Sequence, residues 1–315
     1  MDYDRSHGGL IMKWRKLGRI FCPSGQRPWM QSHAAVPSPL QLDGNLYRVY
    51  FGTRDAYNSS HIGYVEFDVR SPTKILRISH DYVLGPGPCG YFDDNGVYPG
   101  CIVENQERLL MYFLGRNNGT HPLYYMSIGL AVSEDGGATF KRVFKAPIMA
   151  RSEFDPWMVS TPFVLKEDNR WRMWYLSGFR WEKTGEHLHS FYHIKYAEST
   201  DGIHWQRNGL VCIDLREGET NISNPTVIKE DSIYKMWYSY LAGKGYRIGY
   251  AESGDGYSWT RKDEAIGIDV SPSGWDSEAM AYPYVFTHEG RRYMLYSGNG
   301  FGKEGFGLAV EEPST

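Results

Sequence analysis

YHIKYAESTDGIHW at residues 192–205 and YRIGYAESGDGYSW at residues 246–259 are two copies of one pattern. Each opens on a short run that mixes apolar and polar residues as a strand does. Each closes on Ser-x-Asp-Gly-x-x-Trp, which reads as a hairpin turn. Asp201 and Asp255 can accept bonds from the backbone that follows them, and the next glycine supplies a positive φ. The final tryptophan then packs back onto the sheet. Ser133–Phe140, with Asp135, is a third version. The carboxylates of these turns read as structural.

Outward from these copies the whole chain is a fivefold repeat. VPSPLQL (36–42), VYPGCIV (97–103), VSTPFVL (159–165), ISNPTVI (222–228) and AYPYVF (281–286) align Pro39, Pro99, Pro162, Pro225 and Pro283, with separations of 60, 63, 63 and 58 residues. An aromatic-rich strand follows each: LYRVYFGTR, RLLMYFLGR, RWRMWYLSGFR, IYKMWYSYL and RYMLYSGNG. Third strands read HIGYVEF, SIGLAVS, HIKYAES, RIGYAES and GFGLAVE. Fourth strands follow in the first four repeats, but the fifth stops at Glu311–Thr315. KWRKLGRI at 13–20 looks like the missing piece, being similar to HWQRNGLV and SWTRKDEA. The pattern predicts an all-β, five-bladed β-propeller of four-stranded antiparallel blades, its ring closed by the N-terminal strand joining the last blade. The expected division of this single domain, 1–315, is 1–21 for the outer strand of blade 5, then 33–84, 93–149, 151–214, 219–268 and 275–311 for blades 1 to 5.

Composition narrows the function classes. The chain is 15% aromatic, and Tyr and Trp suit sites where a flat apolar face sits beside polar groups. A formal net charge of −3 gives no electrostatic case for nucleic acid. No stretch is apolar for long enough to span a bilayer, so no membrane insertion is expected. Met1 to Lys13 is polar, without the apolar core of a secretory signal, and the cytoplasm is the expected location. Cys22, Cys89, Cys101 and Cys212 are scattered and lack metal-ligand spacing. Neither metal nor cofactor is expected.

In a propeller the lead-in to each innermost strand and the end of the next strand reach one face around the axis. Lead-ins carry His33, Asp93, Asp94, Asp155 with Trp157, Glu219, Asn224, Asp276, Glu278 and Tyr282. Second-strand ends carry Arg54, Arg116, Arg180 and Asn299. Many directed polar partners suit a polyhydroxylated ligand, aromatics suit a sugar face, and arginines suit a carboxylate or phosphate. The expected partner is a sugar or glycoconjugate, acidic or nucleotide-activated.

With those residues in view, the chain resembles the five-bladed glycosidases of families 43, 32, 68 and 130. It is also similar to an uncharacterised glycosidase-like family of bacterial surface-polysaccharide gene clusters. FDDNGV (92–97), RWRMWYLSG (170–178), YHIKYAESTDGIHW, YRIGYAES and GWDSEAMAYP (274–283) carry the likeness. The three turns resemble the Asp-box turns of sialidase-type propellers. The resemblance implies glycoside hydrolysis by an Asp base or nucleophile, a second Asp and a Glu acid, with an Asp directly before an inner-strand proline. Here those places hold Ser38, Tyr98, Thr161, Asn224 and Tyr282. From chemical need, Glu278 is the expected acid, Asp94 the base and Asp155 the orienting or tuning group. His33, Asp93, Glu219 and Asp276 are supporting or alternative groups, and Arg54, Arg116, Trp157, Arg180, Asn224, Tyr282 and Asn299 the expected substrate contacts. The alternatives are a non-catalytic sugar or nucleotide-sugar binding protein, or a transferase acting on activated sugars.

Overall fold

The computed structural model describes residues 11–243 and 245–313. Residues 1–10, part of the segment expected to close the last blade, lie outside the described residues. The fold is all-β. Strand β1 (Trp14–Phe21) comes first, then four-strand meanders. The first unit holds β2 (Ser32–Asp43), β3 (Leu46–Arg54), β4 (Ser60–Asp68) and β5 (Ile75–Ile78). The second holds β6 (Val97–Asn105), β7 (Arg108–Asn118), β8 (Tyr124–Ser133) and β9 (Lys141–Arg142). The third holds β10 (Met158–Glu167), β11 (Arg170–Thr184), β12 (His187–Ser199) and β13 (Val211–Ile213). The fourth holds β14 (Glu219–Glu230), β15 (Ile233–Ala242), β16 (Gly245–Ser253) and β17 (Thr260–Arg261). The last holds β18 (Ala281–His288), β19 (Arg291–Ser297) and β20 (Phe306–Glu311). Its sheet is completed by β1, which runs antiparallel to β20 with Trp14 opposite Glu311 and Phe21 opposite Phe306. The third and fourth units share one sheet through a single parallel pairing, Tyr192 opposite Asn221. First strands touch one another in a closed cycle, β2–β6–β10–β14–β18–β2.

Second strands fill the spaces between units with aromatics. Tyr50, Phe51, Tyr112, Phe113, Trp174, Tyr175, Trp237, Tyr238 and Tyr296 are all fully buried. Each such side chain contributes about 1.5–3 kcal/mol by leaving water. Their polar atoms are placed as carefully as their rings. Tyr50 Oη donates to Gly137 O (2.6 Å), Tyr112 Oη to Gly202 O (2.8 Å) and Trp174 Nε1 to Gly256 O (3.0 Å). Those acceptors belong to the three Ser-x-Asp turns, each in the unit after the donor. Within the turns, Ser133, Ser199 and Ser253 hydroxyls donate to Asp135, Asp201 and Asp255. The turns thus lock neighbouring units together.

Each first strand also carries a one-residue register shift against its neighbour, at Ala35/Ser38, Pro99/Cys101, Ser160/Phe163, Ser223/Thr226 and Ala281/Tyr284. Such a bulge bends a strand and re-aims a side chain. In four units it falls on a residue of positive φ just before proline: Val36 (54°), Thr161 (40°), Asn224 (51°) and Tyr282 (58°). This corrects the alignment of the first repeat, where Pro37 rather than Pro39 is the equivalent proline. VPSP holds two prolines, and Pro39 already pairs regularly with Val49.

Without β1, the backbone of β20 becomes an open sheet edge. A chain lacking residues through Phe21 should aggregate or lose its cooperative thermal transition, read by calorimetry and light scattering. A soluble, cooperatively melting truncation would refute the closure role of β1.

Candidate functional site

The bulges aim side chains at a cavity of about 130 Å3 on the axis, below the roughly 300–1,000 Å3 of pockets that take drug-sized ligands. Val36, Thr161, Asn224 and Tyr282 face it from the bulges, with Tyr98 from the second unit. Arg54, Leu114, Arg116 and Leu176 reach it from the ends of second strands, and Tyr124, Met126 and Tyr192 from the third strands. The lining holds no Asp, Glu or His among the described residues.

Its electrostatics are set by two guanidiniums. Arg54 Nε donates to Tyr98 Oη (3.0 Å) and its Nη1 to Asn58 Oδ1 (3.0 Å). Tyr98 reaches that position because Gly52 lets its ring pass; a Cβ on Gly52 would stand 2.0 Å from it. Arg116 lies 5.7 Å from the Tyr124 ring centre, and its Nε is buried without a hydrogen-bond partner among the described residues. Asn224 Oδ1 is buried and unpartnered in the same way. Tyr192 and Tyr246 share a hydroxyl hydrogen bond of 2.6 Å. Burial raises the Tyr192 and Tyr282 phenols well above their ordinary value, so both stay neutral.

The acids expected to do chemistry are elsewhere. Asp93 is fully buried and takes Arg142 Nε at 2.6 Å. Asp155, also fully buried, takes Arg207 Nη1 (2.9 Å), Ser177 Oγ (2.6 Å) and Tyr175 Oη (3.2 Å). Glu219 is held by Arg261 through two bonds of 2.7 Å. Asp276 takes Lys16 Nζ (2.8 Å) and Tyr296 Oη (3.1 Å). In every case a lead-in acid clasps a basic residue of the outermost strand or the segment beside it, binding the two edges of one unit. Desolvation raises the Asp93 carboxyl against the pull of Arg142. Breaking such a buried pair costs about 3–5 kcal/mol, because the surviving charge stays uncompensated.

The remaining expectations fare differently. Asp94 accepts from Gly90 N (2.8 Å) and Asn117 Nδ2 (2.6 Å), closing a turn. Asn299 is buried, with Oδ1 accepting from Glu278 N (2.8 Å) and Nδ2 donating to Gly274 O (2.9 Å). Glu278 itself is exposed, and its carboxylate has no partner among the described residues. The structure therefore does not bring Asp94, Asp155 and Glu278 together around the cavity. Trp157 packs behind the wall, with Nε1 donating to Tyr124 O (3.1 Å). Arg180 is exposed and paired with Glu182 (2.8 Å). Arg54, Arg116, Asn224 and Tyr282 do line the cavity. Sequence reasoning missed Val36, Tyr124, Tyr192 and Phe301 as lining groups. The glycine-rich run Gly298–Gly302 around Phe301 was the available signal.

A larger groove of about 730 Å3 lies far from the axis, at the turn between β10 and β11. Its charges neutralise one another: Glu167 pairs with Arg172 (2.7 Å) and Lys229 (2.6 Å). The axial cavity, with its unpaired groups, is the better candidate. Among the described residues no cluster of His, Cys, Asp or Glu is arranged to hold a metal.

No protein-family model matches the chain. The uncharacterised proteins Rv1502 and MT1551 of Mycobacterium tuberculosis are each 44% identical to it over 303 residues, covering 96% of this chain and 100% of theirs. The chain belongs to their family. An extracellular exo-α-(1→5)-L-arabinofuranosidase of Cellvibrio japonicus is 29% identical over 120 residues, 34% of this chain and 33% of that one. Among solved structures, a glycoside hydrolase has a TM-score of 0.75 at 18% identity, covering 96% of this chain and 93% of that one. BT0996, solved as an RGII complex, has a TM-score of 0.74 with the same identity and coverage. A thermostable family-43 glycoside hydrolase has a TM-score of 0.65 at 16% identity, covering 91% and 90%. The resemblance read from the sequence holds: the structural relatives are glycoside hydrolases of the β-propeller superfamily. At these identities the likeness speaks for the fold.

His33, on β2 two residues before the lining residue Ala35, has Nδ1 2.9 Å from Ser32 Oγ and is not itself part of the lining. Burial, then the charges of Arg54 and Lys303, lower its pKa from 6.5 to about 4. It is neutral at physiological pH, which removes the imidazolium needed for the alternative acid role. The unfolded chain takes up this proton near 6.5 and the folded chain only near 4. Stability therefore falls as pH drops through that window and the loss is complete below it. The melting-temperature difference between wild type and His33→Asn should change between those two values and stay flat at higher pH. A constant difference throughout would show that His33 titrates as it does in solvent.

Proposed function

We propose that this chain is a carbohydrate-active protein whose axial cavity takes one acidic or nucleotide-activated sugar unit. The framework of this reading is a five-bladed propeller, supported by the closed cycle of first strands. The observation that carries it is the set of buried, unpartnered atoms on residues that line the cavity, Arg116 Nε, Asn224 Oδ1 and Ser223 Oγ. An unpaired buried donor and acceptor are costly until a ligand fills them. Together they ask for a ligand with an anionic group and a hydroxyl or amide N–H, which an acidic sugar offers. Arg54 on the adjacent blade adds a second cation, and no carboxylate in the lining competes for either. The small volume suits a single ring, with the remainder of a glycoconjugate outside.

The reading is tested by calorimetry with uronic acids, sugar phosphates and nucleotide sugars against their neutral parents. The charged members should bind at least tenfold more tightly, and Arg116→Ala should cost roughly ten- to a hundredfold, the range for a hydrogen bond to a charged group. Equal affinity for neutral and charged sugars, or an indifferent Arg116→Ala, would overturn it.

Glycoside hydrolysis is the second reading, favoured by the unpartnered Glu278 carboxylate on the lead-in to β18. Its backbone N–H is fixed by Asn299, which holds the residue in place for proton donation from outside the cavity. On this reading Glu278→Gln lowers turnover of a substrate with a poor leaving group by about a hundredfold or more. An activated aryl glycoside should be partly spared. Equal losses for the two substrates would count against the acid role, and detectable binding with no turnover would leave sugar binding as the function.

A further inference from the structure

Phe301 lies in the short turn at residues 299–302, between β19 and β20, and lines the axial cavity. It is 54% exposed, whereas the aromatics of the second strands are buried completely. Its backbone sits in the left-handed region, φ 60°, between Gly300 at 62° and Gly302 at 85°. Glycine adopts that conformation freely, but a side chain there is strained. Half-exposed, the ring recovers only part of that cost through burial. Its aromatic neighbour Tyr246 meets it edge-on, with ring centres 6.0 Å apart, and leaves much of the ring open.

The turn that carries it is firmly held. Gly302 N donates to Gly298 O (3.2 Å) and Gly305 N to Gly302 O (3.0 Å). A Cβ on Gly302 would stand 2.7 Å from Ala34 O, so the turn is wedged against β2. Beneath it, the buried Asn299 amide ties the turn to Gly274 and Glu278. A rigid, strained turn that presents an open aromatic face at the mouth of a polar cavity is poorly explained by packing. Strain of this kind gathers where a ligand is held.

We propose that Phe301 is a stacking platform for the apolar C–H face of the sugar ring whose anionic group Arg54 and Arg116 hold. The inference rests on the acidic-sugar reading and adds a specificity element to it: a ring with an apolar face is selected over a bare anion. Aromatic contact gives affinity without consuming any polar partner. The two arginines alone would accept phosphate or a short carboxylic acid equally well.

The test compares a uronic acid with inorganic phosphate, both titrated calorimetrically into wild type, Phe301→Ala, Phe301→Tyr and Phe301→Gly. Phe301→Ala should weaken the uronic acid at least tenfold and leave phosphate unchanged, while Phe301→Tyr keeps both. Phe301→Gly should lose the uronic acid to the same extent while its melting temperature stays level or rises, since the positive φ is relieved. Wild-type affinity for the uronic acid in Phe301→Ala, or equal loss of both probes, would overturn the platform. Loss in Phe301→Ala with an indifferent Arg116→Ala would keep the platform and overturn the anion reading. Absence of binding to wild type by either probe would overturn both.

Discussion

The site depends on one backbone irregularity, the bulge repeated in each first strand. An unbroken strand would send successive side chains to opposite faces, and the inner edges of the units would meet with no side chain directed at the axis. The extra residue turns Val36, Thr161, Asn224 and Tyr282 inward onto one cavity. Positive φ before proline is unfavourable for a side-chain-bearing residue, so the conformation needs outside support. Part of that support crosses between units: Asn224 N donates to Thr161 Oγ1 (3.3 Å), and Tyr282 N donates to Ser239 Oγ (2.7 Å). The second unit reaches the same register with Gly100 as the extra residue. There a Cβ would stand 2.6 Å from Tyr112 O.

Rigidity comes from two further devices that use polar atoms inside the sheets. Clasps such as Arg207 to Asp155 join the innermost and outermost parts of one unit, while tyrosine and tryptophan bonds to the Ser-x-Asp turns join one unit to the next. Both satisfy polar groups that burial would otherwise penalise. Together they hold the cavity walls without help from a ligand. Preorganisation of this kind leaves the binding free energy for recognition rather than ordering.

Much of this architecture is legible in the sequence because its signals are local. Strand alternation, the aromatic second strands and the Ser-x-Asp-Gly turns each fit within a dozen residues. The similarity of KWRKLGRI to the fourth strands is equally readable and places β1 against β20. The clasps are harder, because an acid on a lead-in looks the same whether it faces a substrate or a distant arginine. Yet the partners leave a trace: Phe140-Lys-Arg142, Trp205-Gln-Arg207, Trp259-Thr-Arg261 and Trp14-Arg-Lys16 share the order aromatic, any residue, base. The first unit has Ile75-Leu-Arg77 in that place, with Arg77 exposed and no acid clasped to it among the described residues. Acid and base occur together because a buried charge needs its counter-charge, and reading them as a pair assigns the acids to structure.

What remains at the axis is chemically unlike a pair of carboxylates. Proton transfer to a leaving oxygen needs an acid within hydrogen-bond reach, and a cavity of phenols, amides and guanidiniums supplies donors that hold a charge rather than move a proton. Tyr192 and Tyr282 are pushed further from ionisation by their own burial. The polar groups of the lining left without partners are a guanidinium nitrogen (Arg116), an amide oxygen (Asn224) and a hydroxyl (Ser223), a combination that matches an anion beside hydrogen-bonding groups. Glu278, which is not among the groups lining the cavity, and Phe301, which is, stand on segments tied to the same Asn299 side chain.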